Sequence, residues 1–153
     1  MSRLIRIAGL LLLASCGGGN HSAPRNLDDA CSILDQRPAY YSAMKRTERR
    51  WGVPVHVQMA TMYQESKFIG NARTPFRYAL GIIPMGRQSS AYGYSQALDD
   101  TWDDYRKDAG RFGARRDRIE DATDFIGWYM DRSERKLGLS KYDATSHYLA
   151  YHE

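Results

Sequence analysis

The sequence predicts a single, mainly α-helical domain, and three observations predict it. Apolar residues recur at intervals of three and four from Asp28 onward, the spacing that puts them on one side of a helix. Proline and glycine stand where helices begin and end: Pro38 and Pro54 as first-turn residues, Gly52 and Gly138 just past the ends of apolar runs. Strand-like alternation is confined to the neighbourhood of Tyr78 to Met85, and there are no internal repeats. With 153 residues the chain is long enough for one domain and hardly for two, and a 42% hydrophobic content supports an ordinary buried core.

The elements follow in order. Asp28 to Arg37 reads as a short helix, with Cys31 on its apolar side as a small buried hydrophobe. A second helix runs from Pro38 through Tyr40, Met44 and Trp51, and a third from Pro54 to Glu65. Asp99 is placed to cap a helix carrying Trp102 and Tyr105. Asp117 with Glu120 three residues on reads as a capping box for a long helix through Phe125 and Tyr129. Asp143 to His152 is the last. Trp102, Tyr105, Trp128 and Tyr129 recur at helical spacing, which favours core packing over stacking on a ligand. The connection from Asn71 to Ala91 is long for so compact a domain, and loops of that length usually carry function. Its apolar middle, Tyr78 to Met85, suits a small hairpin with Gly81 near the turn.

The first fifteen residues belong to export rather than to the fold. Arg3 and Arg6 precede an apolar run too short for a membrane-spanning helix. It ends in Leu13-Ala14-Ser15-Cys16, which resembles the lipobox of bacterial lipoproteins. That resemblance implies a signal peptide over 1–15, acylation of Cys16 and a membrane attachment through the lipid. Gly17, rather than an aspartate, follows the cysteine, and in a Gram-negative cell this sorting pattern implies an outer-membrane location facing the periplasm. Residues 16–27 then read as a flexible tether, of which ten residues reach roughly 15–20 Å. With Cys16 lipidated, Cys31 has no disulfide partner.

The formal charge of +4 is halved when Arg3 and Arg6 leave with the signal, too mild a balance for a nucleic-acid partner. Its distribution says more. No acidic residue lies between Ser66 and Leu98, while Lys67, Arg73, Arg77 and Arg87 are basic. A single-sign stretch suits an anionic ligand, and charge alone leaves a solvated basic loop equally open.

Glu65 is the chemical candidate. The helix before it is apolar almost all round (Val55, Val57, Met59, Ala60, Met62, Tyr63), so it reads as a buried central helix. A carboxyl at its C-terminal end meets apolar neighbours and the negative end of the helix dipole. Both favour the proton-bound form that a general acid needs. An ordinary exposed terminal glutamate remains open on these grounds. His56 on the same helix reads as a packed or hydrogen-bonded histidine rather than a ligand, and His21 as part of the tether.

Three short motifs stand in order: Gln64-Glu65-Ser66 after the apolar helix, Ala91-Tyr92-Gly93-Tyr94-Ser95-Gln96, and Ala150-Tyr151-His152. Together, from about Trp51 to the end, they resemble the lytic transglycosylase SLT domain, with its Glu-Ser, Gly-x-x-Gln and Ala-Tyr-Asn-Ala-Gly pattern on a lysozyme-like α fold. The resemblance implies a 28–153 domain that binds peptidoglycan glycan strands, with Glu65 as sole catalytic carboxylate and no cofactor or metal. It implies supporting or substrate-binding roles for Ser66, Gly93, Tyr94, Gln96 and Tyr151. The implied reaction cleaves the β-1,4 bond between N-acetylmuramic acid and N-acetylglucosamine and closes a 1,6-anhydro ring. A hydrolytic muramidase on the same fold, or a lipoprotein that only binds the wall, are the alternatives.

The chain departs from the pattern in three ways. Its loop between Glu65 and Gly93 is longer, and His152 replaces the usual asparagine. It also stops at Glu153 inside the third motif, which reads as a C-terminal truncation. His152-Glu153 could also open a zinc-binding His-Glu-x-x-His motif, but the preceding Ala-Tyr favours the glycan reading.

Overall fold

The computed structural model describes residues 21–151, with Tyr151 by its backbone alone. The expected leader, Cys16, the start of the tether, His152 and Glu153 lie outside the described residues. The described chain is mainly helical with one small antiparallel hairpin, as expected of a lysozyme-like domain. Its elements are α1 (Ala30–Gln36), α2 (Pro38–Trp51), α3 (Val55–Ser66), β1 (Phe76–Ala79), β2 (Ile83–Arg87), α4 (Asp99–Asp108), α5 (Ile119–Leu137) and α6 (Ala144–Tyr151).

The closest packing is between α2 and α5. Gly127 makes it possible: a Cβ there would lie 2.7 Å from Thr47 Cγ2 and 2.8 Å from Trp51 Cγ on α2. Asp124, one turn away, fastens the pair by accepting from Trp51 Nε1 (2.8 Å), Arg50 (2.7 Å) and the Tyr105 hydroxyl (2.9 Å). Trp102, Tyr105, Phe125 and Trp128 form one aromatic cluster of the core, with ring centroids 5.0 Å apart for the first pair. Their helical spacing does bury them. Tyr129 differs, being only half-buried.

α3 is not buried all round. His56, Ala60 and Gln64, four residues apart, form one exposed stripe, while Val57, Met59 and Met62 face the core. His56 is thus exposed rather than packed. The polar Gln58 and Thr61 take buried places because backbone carbonyls receive them: Gln58 Nε2 donates to Val53 (2.8 Å) and Met44 (3.0 Å), and Thr61 donates to Val57 (3.0 Å).

Three local expectations are corrected. Cys31 is exposed, because α1 buries Ile33 and two residues are about 200° around a helix. Leu98, not Asp99, is the N-cap of α4; Asp99 sits in the first turn, where its charge still suits the helix dipole, and pairs with Arg116 at 2.7 Å. The capping box before α5 does not form. Asp117 instead accepts from Arg115 (2.8 and 2.9 Å) and the Tyr92 hydroxyl (3.1 Å), leaving Arg118 as the N-cap.

The described end of the expected tether is docked rather than loose. The His21 carbonyl accepts from Gly70 N (2.9 Å), Pro24 is buried, and Gln36 exchanges two 2.9 Å hydrogen bonds with the backbone of Arg25. The hairpin expected around Tyr78 to Met85 is present, with Gly81 in its turn and a register irregularity between Phe76 and Tyr78. Among the described residues no helix is long and apolar enough to cross a membrane.

Candidate active site

A cleft of about 770 Å³ opens where the C-terminal end of α3 meets the base of the hairpin, the 91–98 loop and helices α4, α5 and α6. Glu65 and Gln64 enter it from α3, Thr74, Gln88 and Ser89 from the hairpin base, Gln96 from the loop, and Tyr129 and Tyr148 from α5 and α6. This is the hollow that holds Glu65. Glu65 is half-buried, with Oε1 out of contact with solvent. Among the described residues lining the cleft, it is the sole carboxylate.

The backbone beyond α3 fixes where that carboxylate stands. Lys67 and Phe68 both adopt left-handed conformations, φ 52° and 60°, which bulky residues rarely hold unless the surroundings compel them. Here the compulsion is burial: the sharp reversal drives Phe68 into the core, its ring stacked 6.1 Å from Tyr40. Ser66 is buried as well, and its hydroxyl donates to the Tyr94 carbonyl at 2.7 Å. That bond ties the end of α3 to the loop carrying Gly93 and Gln96. The hydroxyl of Ser66 does not line the cleft.

Gly93 serves the same junction. It has φ 82°, and a Cβ there would fall 2.6 Å from the carbonyl carbon of Arg116 and closer still to its oxygen. The close approach is therefore to Arg116, with Tyr94 N donating to the Arg116 carbonyl (3.2 Å) and Gly93 N to Ala72 (3.0 Å). Tyr94 is a core residue. Its hydroxyl bonds to that of Tyr40 at 3.2 Å, and burial pushes its pKa far above the ordinary tyrosine range, helped by that bond.

Gln96, at φ 48°, points its amide nitrogen at two carbonyls, Gly93 (2.8 Å) and Ala72 (3.1 Å). Both partners can only accept, so the nitrogen is assigned to them and the oxygen faces away. With its N–H groups donated to those carbonyls, the Gln96 amide keeps only its oxygen for a ligand. The side chain of Tyr151 lies outside what is described; its helix is held by Tyr129, whose hydroxyl donates to the Ala150 carbonyl at 2.8 Å.

Sequence reasoning missed Arg116. Its guanidinium donates to the carbonyls of Ala97 (2.8 Å) and Ser90 (3.2 Å) and pairs with Asp99, so one side chain holds both ends of the Gly93–Gln96 loop. No motif marks it. Thr74, Gln88, Ser89 and Tyr148 were missed as well, because only the folded chain brings them to Glu65.

A helical domain with an acid at the end of a helix, in a cleft lined by amides, hydroxyls and tyrosine rings, fits a lysozyme-like domain. The family described as transglycosylase SLT domain matches residues 4–153, and the chain belongs to it. No curated protein and no solved structure matches the chain. Family membership points to a transglycosylase acting on peptidoglycan.

Proposed function

We propose that the protein is a peptidoglycan lytic transglycosylase with Glu65 as its acid and base. The observation that carries this is that Glu65 is the single carboxylate among the described residues lining the cleft. Glycosidases that work through two carboxylates keep them on either side of the bond, and a cleft offering one suits a substrate-assisted route. Glu65 protonates the bridging oxygen between N-acetylmuramic acid and N-acetylglucosamine, and that C–O bond breaks. The substrate's acetamido group stabilises the cationic centre. Glu65, now a carboxylate, takes the proton from the C6 hydroxyl as its oxygen closes the 1,6-anhydro ring. The proton returns to where it began and no water is consumed.

The burial of Oε1 and the carbonyl end of α3 favour a carboxyl that holds its proton before the bond breaks. The Gln96 oxygen supplies an acceptor for a sugar hydroxyl or amide N–H, and Tyr129 and Tyr148 supply ring surfaces. Ser66 and Gly93 act as positioning residues through the Tyr94 carbonyl and Arg116. Tyr151, next to the Tyr129-anchored end of α6, supports the acid.

Peptidoglycan digestion by the native protein and Glu65→Gln tests the reading. Glutamine keeps the shape and loses the transferable proton, so turnover should fall by about 10²–10⁴-fold. Products should be lighter by one water than hydrolysed ones. Products carrying that water would favour a muramidase, and binding without cleavage by the native protein would favour a wall-binding role. We also propose that Cys16 carries a lipid that holds the domain at the periplasmic face of an outer membrane; Cys16→Ser should release it into the soluble fraction.

A further inference from the structure

The hairpin is the least protein-like surface of the molecule. Every residue of β1 and β2 except Ala79 is exposed, yet Phe76, Tyr78, Ile83 and Met85 are apolar. The turn is the extreme, with Leu80 90% and Ile82 79% exposed. A lone two-stranded hairpin is marginally stable in water, and a contiguous apolar projection of this kind marks a surface that is covered in use. The charge around it has one sign. Arg77 and Arg87 are exposed on the strands themselves, and with Lys67 and Arg73 they belong to a stretch of chain without a single acid. Arg87 lies over the Phe76 ring at 4.3 Å, so a cation and an aromatic share one face near the base while the aliphatic residues crown the tip.

We propose that the tip of this hairpin inserts into an anionic lipid surface, with Leu80 and Ile82 among the acyl chains and the arginines against the headgroups. An apolar tip above a basic collar is the arrangement by which non-spanning elements hold membranes, aliphatic side chains giving depth and cations giving attraction to anionic lipid. Chain geometry points the same way. The His21 carbonyl is bonded to Gly70 N, six residues before β1. Four residues lie between Cys16 and His21, and the five steps of chain from one to the other reach at most about 18 Å when fully extended. A lipid at Cys16 therefore keeps the side of the domain from which the hairpin springs beside the bilayer. This second argument rests on the anchoring proposed above; the first does not, and neither depends on the role of Glu65.

The test places an environment-sensitive fluorophore at the tip of the full, unacylated chain: Ile82→Cys in a Cys16→Ser, Cys31→Ser background. A matched label at Phe112→Cys, a fully exposed site outside the hairpin, is the control. With vesicles of phosphatidylethanolamine and phosphatidylglycerol, the label at 82 should shift to the blue and be quenched by lipids brominated in the acyl chain, while that at 112 stays aqueous. Vesicles of phosphatidylcholine alone should give a much weaker response. Leu80→Ser with Ile82→Ser, followed by liposome flotation, should weaken association on the order of 10- to 100-fold, and Arg77→Gln by about fivefold. Peptidoglycan cleavage in solution should be unchanged in these variants, which separates this proposal from that for Glu65. A label at 82 that stays aqueous on a chain bound to vesicles overturns the proposal. So does a shift that needs only a second copy of the chain, or only peptidoglycan.

Discussion

Replacing Gly93 with alanine should reveal how much of the cleft depends on one absent side chain. Two costs add at this position. Alanine at φ 82° carries the steric penalty of a left-handed backbone, about 1–2 kcal/mol. The new Cβ also falls far inside 3.0 Å of the Arg116 carbonyl, a backbone atom that cannot swing aside. Relief requires the 91–98 loop to lift. That lengthens the bond from Tyr94 N to Arg116 and the bond from Gly93 N to Ala72, each worth about 1 kcal/mol net. The sum is about 3–4 kcal/mol, a large share of the roughly 5–15 kcal/mol that holds a domain together. Gly113→Ala is the internal control, since Gly113 has φ 75° but nothing within 4 Å of its Cβ position. It should cost only the conformational part, about 1–2 kcal/mol. Urea unfolding followed by tryptophan fluorescence measures both, with three tryptophans as reporters. If Gly93→Ala proves no worse than Gly113→Ala, the packing of this loop on Arg116 is not what requires glycine, and the reasoning fails.

Ser66→Ala removes the 2.7 Å bond to the Tyr94 carbonyl in a buried place and should cost about 1–3 kcal/mol. Its effect on glycan cleavage should appear in kcat with little change in KM, because the hydroxyl holds two walls of the cleft together; a selective rise in KM would argue for direct contact with substrate. Gly127→Ala should destabilise by about 1–3 kcal/mol in thermal unfolding although alanine is the better helix former, since its Cβ would meet Thr47 and Trp51. An unchanged or raised Tm would show that α2 and α5 can separate freely. His147 on α6 is buried without a hydrogen bond of good geometry at either ring nitrogen, and burial holds its pKa below the usual histidine value, against the opposing pull of the Ser140 main chain, Asp143 and Glu134. A depressed folded-state pKa means stability present above the unfolded value, near about 6.5, and lost as pH falls toward the folded one. Native protein should therefore lose stability on acidification more steeply than His147→Leu over that window, and parallel pH profiles would refute this.

Helices, hairpin and acid were legible in the sequence because each is announced locally: periodic apolar residues, punctuation by proline and glycine, and a Glu-Ser pair where an apolar helix ends. The failures share one cause. Asp117 has the right neighbour for a capping box, but Arg115 and Tyr92 compete for the same carboxylate and win. Periodicity put Cys31 on an apolar side, but a seven-residue helix buries only one residue, and that is Ile33. An apolar α3 suggested complete burial, yet a row of three residues faces out while Gln58 and Thr61 go in, the amide N–H groups of one and the hydroxyl of the other donating to backbone carbonyls. Tertiary partners decided each case.

The same distinction explains the candidate site. Glu65 and Gln96 could be named from short motifs, whereas Thr74, Tyr148 and Arg116 have no sequence signal, since nothing along the chain relates them to one another. Resemblance implied supporting or substrate-binding roles for Ser66, Gly93 and Tyr94. The contacts they make could not be read from the motifs: Ser66 bonds to Tyr94, Tyr94 to Tyr40 and Arg116, and Gly93 lets the loop reach Arg116. All three lie at the junction of α3 with the 91–98 loop, behind the cleft rather than on its lining.

The long connection after Glu65 then has two ends with different chemistry. At its base, Thr74 Oγ1 donates to the Ser89 carbonyl (2.9 Å), and Arg87 donates to the Thr74 carbonyl (2.6 Å). These bonds close the hairpin just where Thr74, Gln88 and Ser89 form one wall of the cleft. At its tip, Leu80 and Ile82 project away with nothing of the domain against them. A two-stranded ladder joins the tip to that wall, so whatever seats the tip also restrains the wall facing Glu65. In water the hairpin has only its own cross-strand bonds and the base contacts to order it, and a surface that immobilised Leu80 and Ile82 would remove much of that freedom. An enzyme arranged in this way would have its cleft most sharply defined beside the membrane, where a lipid at Cys16 would hold it, and less so when adrift from it.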